Sequence, residues 1–235
     1  ASDVYKRQPY GATECLPVSN ISGESILNDF QTKILKGDGT CVGKPLKGVS
    51  VKIIKISEGP IHDLKTAESL PVGEIGEIIV QSKNTTKRYF LKDEATELSK
   101  IHDGKKVWHR MGDVGHQDSD GNLWFCGRVK HIVQIKDQIF YPNQVETIFN
   151  THSKVRRSAL IKDETENQAA IVIERKDNGT DIEPMFLMDL KNLAQTNIKT
   201  KNIQKFYVHP SFPVDIRHNI KIDRTLIEKE INQRN

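Results

Sequence analysis

A change of grammar near Arg128 constrains the fold more than any other feature of the chain. Before it, short runs rich in β-branched residues are punctuated by glycine turns. Residues 49–56 alternate apolar and polar positions, the period-two signature of a half-buried strand. Residues 77–81 follow the turn Val72-Gly73-Glu74-Ile75-Gly76 into another such run. Asp118-Ser119-Asp120-Gly121 favours a tight reversal before an apolar strand over 123–126. Beyond Arg128 strands alternate with helices. The pattern predicts strands over 131–135, 158–161, 169–174 and 203–208. Pro142 opens a helix whose apolar face is Val145, Ile148 and Phe149. Phe186, Leu187, Leu190 and Leu193 fall at helical spacing within 183–196, and a last helix is expected over 225–231. The fold class is therefore α+β, with a β-rich module over 9–129 followed by a small α+β domain over 130–235. Residues 1–8 show no usable periodicity and are set aside as an artefactual or incomplete start.

The chain has 235 residues, 36% hydrophobic and 28% charged, which suits one large or two modest domains and excludes a disordered or fibrous chain. Cys15, Cys41 and Cys126 are odd in number and widely spaced, with no paired C-x-x-C, so a reducing cytoplasm is the natural setting. No stretch approaches the ~20 apolar residues of a membrane span. The formal charge of +4 comes from dispersed lysines with one modest cluster over 199–205. Nucleic-acid binders concentrate basic charge on one face, so no nucleic-acid partner is expected.

Three clusters carry chemistry. In Tyr10-Gly11-Ala12-Thr13-Glu14 an aromatic, a glycine that permits close backbone approach, a hydroxyl and a carboxylate lie together. Tyr10 could stack on a base, Thr13 could bind a phosphate oxygen, and Glu14 could hold Mg²⁺, a hard cation that prefers oxygen ligands. The alternative is an ordinary helix or turn start. In the second cluster, Asp113 of His109-Arg110-Met111-Gly112-Asp113 and Arg128 beyond the reversal could converge on a ribose, or could form only a surface ion pair. In the third, Lys221 lies between Ile220 and Ile222 ahead of the last helix. That lysine is either held in a partly shielded place, where an ammonium meets developing charge, or merely solvated.

In this order the clusters resemble the adenylate-forming superfamily of acyl-CoA synthetases, peptide-synthetase adenylation domains and luciferases. The resemblance runs from Pro9 almost to the end. It includes Y-G-x-T-E at 10–14, G-x-P-x-x-G at 43–48, G-E-x-G-E-I at 73–78, R-x-G-D at 110–113 and D-G-x-L-x-F-x-G-R at 120–128. It implies ATP and Mg²⁺ as cofactors and activation of a carboxylic acid as acyl-AMP. Thr13 would contact phosphate or acyl-adenylate, Glu14 would bind Mg²⁺, and Tyr10 and Gly11 would border the nucleotide. Asp113 would hold the ribose with support from Arg128. Lys130 would be the hinge of a mobile small domain, and Lys221 the lysine needed for adenylation. The superfamily's phosphate-gripping loop and much of its acyl pocket would lie upstream of Tyr10, so the chain is expected to be a carboxyl-terminal fragment without turnover alone.

Within the superfamily, the stretches W-H-R-M-G-D-V-G, L-W-F-C-G-R, I-F-N-T-H, V-R-R-S-A-L and F-P-V-D-I-R-H-N-x-K-I-x-R resemble the β-lactone synthetases of bacterial long-chain olefin biosynthesis. That likeness implies a 2-alkyl-3-hydroxy fatty acid as substrate, with olefin-pathway enzymes as partners. Asp137 stands about where many thioester-forming relatives carry glycine, and Ile220 replaces a glycine before Lys221. Both departures argue against coenzyme A ligation. Arg217 and His218 would either help the chemistry or order the loop that carries Lys221. The competing readings are a fatty acyl-CoA ligase and a non-catalytic nucleotide-binding module.

Overall fold

Glycine-punctuated apolar runs produce, in the first part of the chain, a hairpin and a six-stranded antiparallel sheet. The computed structural model describes residues 6–214 and 221–234. The chain divides into two compact units: one runs to Thr32 and resumes over Gly39–Lys130, and the other takes Lys33–Asp38 and the chain from His131 onward.

In the first unit β1 (Arg7–Ala12) and β2 (Cys15–Ser22) form the hairpin. Arg7 and Gln8, set aside in the sequence reading, pair there with Ser22 and Ile21. Short helices α1 (Gly23–Ser25) and α2 (Gln31–Leu35) follow, separated by a π-turn. The sheet comprises β3 (Thr40–Gly43), β4 (Ser50–Ile54), β5 (Gly76–Gln81), then helix α3 (Asp93–Ser99), β6 (Lys100–Asp103), β7 (Lys106–Gln117) and β8 (Leu123–Arg128). Its order is β3-β8-β7-β5-β4, with β6 on β7. Successive side chains of β5 point to opposite faces. Ile78 and Val80 join Val18, Ile53 and Leu123 on one side, while Ile79 joins Ile54, Ile101 and Trp108 on the other. Burial on both faces explains why β5 reads as an unbroken apolar run.

A buried charged pair links β5 and β7. The Arg110 guanidinium grips the Glu77 carboxylate, donating from Nε at 3.0 Å and from Nη2 at 2.7 Å. Its other N–H groups reach the carbonyls of Ser57 at 2.5 Å, Gly59 at 2.8 Å and Leu98 at 3.0 Å. Both side chains are buried. The charges are therefore matched and every direction of the guanidinium fork is used, the condition under which a buried pair is tolerated.

The second unit opens with the hairpin β9 (Val133–Ile135) and β10 (Gln138–Phe140). Helix α4 (Pro142–Phe149), β11 (Val155–Asp163), β12 (Gln168–Arg175), α5 (Pro184–Gln195), β13 (Lys205–Val208) and α6 (Arg224–Arg234) follow. β11 and β12 are antiparallel, and β12 and β13 parallel. Alternation along the strands builds two apolar layers. Leu160, Ile171 and Ile173 face a cluster with Phe149 and Leu190, whereas Ala159, Ile161 and Val172 face one with Ile227 and Ile231. Helices thus cover both faces of this sheet. The first expected strand here starts only at Val133, because Val129–His131 makes a 3₁₀ turn. The segment Lys33–Asp38 joins this unit through contacts remote in sequence: Asn197 donates to the Lys36 carbonyl at 2.8 Å and Lys199 pairs with Asp38 at 2.8 Å. No local pattern could have assigned it. Among the described residues no helix is long and apolar enough to cross a membrane.

Truncating one partner of a matched buried pair strands the other charge, at a cost of about 3–5 kcal/mol. Arg110→Leu is therefore expected to lower the urea midpoint of a full-length enzyme carrying this chain by that much stability. An unchanged midpoint would remove the pair from the framework.

Candidate active site

The first cluster forms a hairpin turn. β1 ends at Ala12 and β2 begins at Cys15, which leaves Thr13 and Glu14 at the tip. Gly11 is needed there because a Cβ would lie 2.7 Å from Leu16 Cδ1 and 2.8 Å from the Cys15 carbonyl. Locally the cluster is a strand-to-strand turn rather than the start of a helix.

The second cluster is a bulge in β7. Glu77 pairs with Val114 and Ile79 with Arg110, so Met111-Gly112-Asp113 is extra length opposite β5. Gly112 takes a φ of 65°, the left-handed conformation that glycine adopts without penalty. Asp113 then lies opposite Arg128 in the β7–β8 register, 2.9 Å from its Nη1. The Tyr10 hydroxyl donates to the other carboxylate oxygen at 2.7 Å. Asp113 is only 3% exposed while the Arg128 side chain is 43% exposed, so this is no ordinary surface ion pair. Burial first, and then the Asp113 charge and hydrogen bond, push the Tyr10 hydroxyl well above its ordinary range. It stays protonated and fixes the carboxylate plane.

Around Glu14 the structure assembles a group whose members lie far apart along the chain. Tyr89 donates to Glu14 Oε1 at 2.7 Å, and the Thr86 N–H holds the Glu14 carbonyl at 2.8 Å. The Nζ of Lys100, a residue only 2% exposed, reaches Thr86 Oγ1 at 2.9 Å and His109 Nδ1 at 3.2 Å, and lies 5.4 Å from the centre of the Tyr89 ring. His109 Nε2 stands 3.9 Å from Glu14 Oε2. Burial raises the Glu14 carboxyl, but the Tyr89 hydrogen bond, a backbone bond and nearby positive charge outweigh it, and the net shift is downward. The Tyr89 hydroxyl is pushed up to about 12, by burial and then by Glu14. His109 is lowered to about 4 from 6.5, by burial first and then by Lys100. Its imidazole is therefore neutral at pH 7, and the approach to Glu14 is a contact between a neutral ring and a carboxylate. Lys100 is directly opposite His109 only because β6 pairs with β7, so no local signal could have exposed it.

The lysines of the sequence reading lie elsewhere. Lys130 is exposed in the 3₁₀ turn that ends the first unit. Lys221 belongs to the second unit, where it is exposed. Asp137 sits with Lys136 in the two-residue turn between β9 and β10. Arg217, His218 and Ile220 lie outside the described residues.

No family model matches the chain. It is 41% identical over 225 residues to the olefin β-lactone synthetase of Xanthomonas campestris pv. campestris, covering 92% of this chain and 40% of that protein. The backbone superposes on the amide bond synthetase McbA of Marinactinospora thermotolerans with a TM-score of 0.73 at 24% identity, over 95% of this chain and 42% of that one. The chain is similar to enzymes of the adenylate-forming superfamily over nearly its whole length. A superfamily relative of another kind, 4-coumarate–CoA ligase 1 of Glycine max, is 29% identical over 73% of this chain and 54% of its own length. The chain thus spans about two fifths of the length of the synthetase it matches, and its fold corresponds to the carboxyl-terminal part of superfamily enzymes.

Glu14 fits the superfamily's need for an Mg²⁺ ligand in chemistry and access: its carboxylate is a hard oxygen donor, ionised at neutral pH and 21% exposed. Among the described residues no group of three or more His, Cys, Asp or Glu is placed to hold a metal. Mg²⁺ is commonly held by one or two carboxylates with substrate phosphates completing the shell.

A histidine whose folded pKa lies below its unfolded value contributes stability that is complete above the unfolded pKa and lost as pH falls through the folded one. For His109 that window is pH 6.5 down to about 4. Stability of the full-length enzyme should decline across it by up to about 3 kcal/mol more in the parent than in His109→Asn. Urea unfolding at several pH values reads the difference, and parallel curves would show that the imidazole is not held neutral.

Proposed function

We propose that a full-length enzyme carrying this chain activates a fatty carboxylic acid with ATP, forming acyl-AMP and pyrophosphate. The observation that carries the reading is the Asp113 carboxylate, buried yet oriented by Tyr10 and Arg128, beside a hairpin tip that presents Thr13 and Glu14. A carboxylate that accepts the Tyr10 hydroxyl and is ion-paired with Arg128 is suited to accept hydrogen bonds from ribose hydroxyls. Glu14, steadied by Tyr89 and Thr86, would hold Mg²⁺, which supplies charge neutralisation at the triphosphate. Lys221 would then meet charge as the substrate carboxylate attacks the α-phosphate. Both reactants are anionic, so alignment and preorganised positive charge supply most of the acceleration.

For the second step the reading is a 2-alkyl-3-hydroxy acid whose own β-hydroxyl attacks the activated carbonyl, closing a β-lactone and expelling AMP. The likeness to an olefin β-lactone synthetase supports it: that identity is 41% over 92% of this chain, against 29% over 73% for the coumarate ligase. A tethered hydroxyl has a high effective concentration, which offsets part of the ring strain. Asp137 in the β9–β10 turn, in place of glycine, also favours a product other than a thioester. Neighbouring condensing and decarboxylating enzymes of olefin synthesis would be partners, and Lys130 would be the hinge between the two units.

In the full-length enzyme, ATP and a long-chain 2-alkyl-3-hydroxy acid are expected to give AMP, pyrophosphate and lactone without coenzyme A. A thioester formed only with coenzyme A would make it an acyl-CoA ligase. ATP binding without pyrophosphate release from any acid tested would leave a nucleotide-binding module. Loss of one charge-stabilising donor lowers rate about a hundred- to a thousandfold. Lys221→Ala should do so for pyrophosphate release, and an unchanged rate would remove Lys221 from the mechanism.

A further inference from the structure

Lys221 stands one residue ahead of an antiparallel bridge between Val214 and Ile222. Ile222 packs against the layer of Ile161, Val172 and Ile227. Side chains alternate along extended chain, so burying Ile222 turns Lys221 and Asp223 outward, and both are exposed. The Asp223 N–H is tied to the Pro213 carbonyl at 2.9 Å, and its carboxylate accepts the Leu226 N–H at 3.1 Å as the cap of α6. Arg224, first residue of α6, reaches across the unit to Glu146 in α4. Its Nε donates to Oε1 at 2.8 Å and its Nη2 to Oε2 at 2.5 Å. Glu146 is buried and also accepts the Leu160 N–H of β11 at 3.0 Å. A carboxylate fixed in the core therefore clamps the residue three positions beyond Lys221.

We propose that the Glu146–Arg224 pair is a positioning device for Lys221, setting how far and in which direction its ammonium projects from the second unit. This rests on the reading of Lys221 as the lysine of adenylation. A single bridge and a cap hold a short segment along one line, whereas a two-pronged guanidinium–carboxylate contact also fixes its rotation. Lysine in place of arginine keeps the charge but loses the fork.

The test separates the two half-reactions of the full-length enzyme, because a general loss of structure would slow both. ATP–pyrophosphate exchange with the acid reports adenylation. Release of AMP from chemically prepared acyl-adenylate reports the second step, which needs no adenylation lysine. Arg224→Gln is expected to lower exchange on the order of a hundredfold, the effect of misplacing a reacting group by about 1 Å. Arg224→Lys should recover part of that loss, and both variants should consume the adenylate at the parental rate. Should Arg224→Gln fail to fold, as read by thermal unfolding, Arg224→Lys decides by the same comparison. Parental exchange in the Arg224 variants while Lys221→Ala is inactive would overturn the proposal, and so would equal slowing of both half-reactions. Parental exchange in Lys221→Ala would instead overturn the assignment of Lys221, and this inference with it.

Discussion

The bulge at Met111-Gly112-Asp113 is the constraint on which the first unit depends. In a regular strand, residues three apart project from opposite faces, but their backbone would remain bound to the neighbouring strand throughout. The extra length, with Gly112 at φ 65°, detaches Asp113 from β5 and delivers it to Tyr10 and Arg128. Arg110, just before the bulge, turns instead into the sheet to bind Glu77. One short motif thus supplies both a framework bolt and a candidate ligand for a nucleotide.

Electrostatics follows from this division. Arg110 and Glu77 are buried with their charges matched, so they hold the loops at Ser57, Gly59 and Leu98 and take no part in the site. Glu14 is steadied mainly by neutral donors and remains accessible. Lys100 and His109 lie behind it, buried, with the imidazole kept neutral by desolvation and by the adjacent ammonium. An accessible anion backed by a buried cation is an arrangement in which a carboxylate stays ionised without being neutralised by direct contact.

In the second unit the comparable element is Glu146. It caps no helix and faces no solvent, yet it gathers the Leu160 amide of β11 and the Arg224 guanidinium of α6 onto α4. The two apolar layers make the unit cohesive, since burial is proportional to area and carries little direction. Hydrogen-bonded charge supplies direction, and here it is spent at the start of the helix that follows Lys221.

The apolar runs of β4, β5, β11 and β12, the proline that opens α4 and the helical spacing of α5 were legible in the sequence because each rests on local stereochemistry. So were the five motifs in their order, which placed Tyr10, Glu14, Asp113 and Arg128 as candidates, and the lysine near the end, Lys221, which together resemble the superfamily. Pairing between distant segments was not legible. The β1–β2 hairpin, the position of Lys100 against His109, the Tyr89 bond to Glu14 and the transfer of Lys33–Asp38 to the second unit all depend on partners far along the chain. Local sequence sets which chemical groups are available and the periodicity of the elements that bear them. That Arg110 faces inward, that Asp113 is buried and that Arg224 is clamped to Glu146 follows from the folded arrangement alone, because register, bulges and side-chain burial are set by contacts that no local window contains.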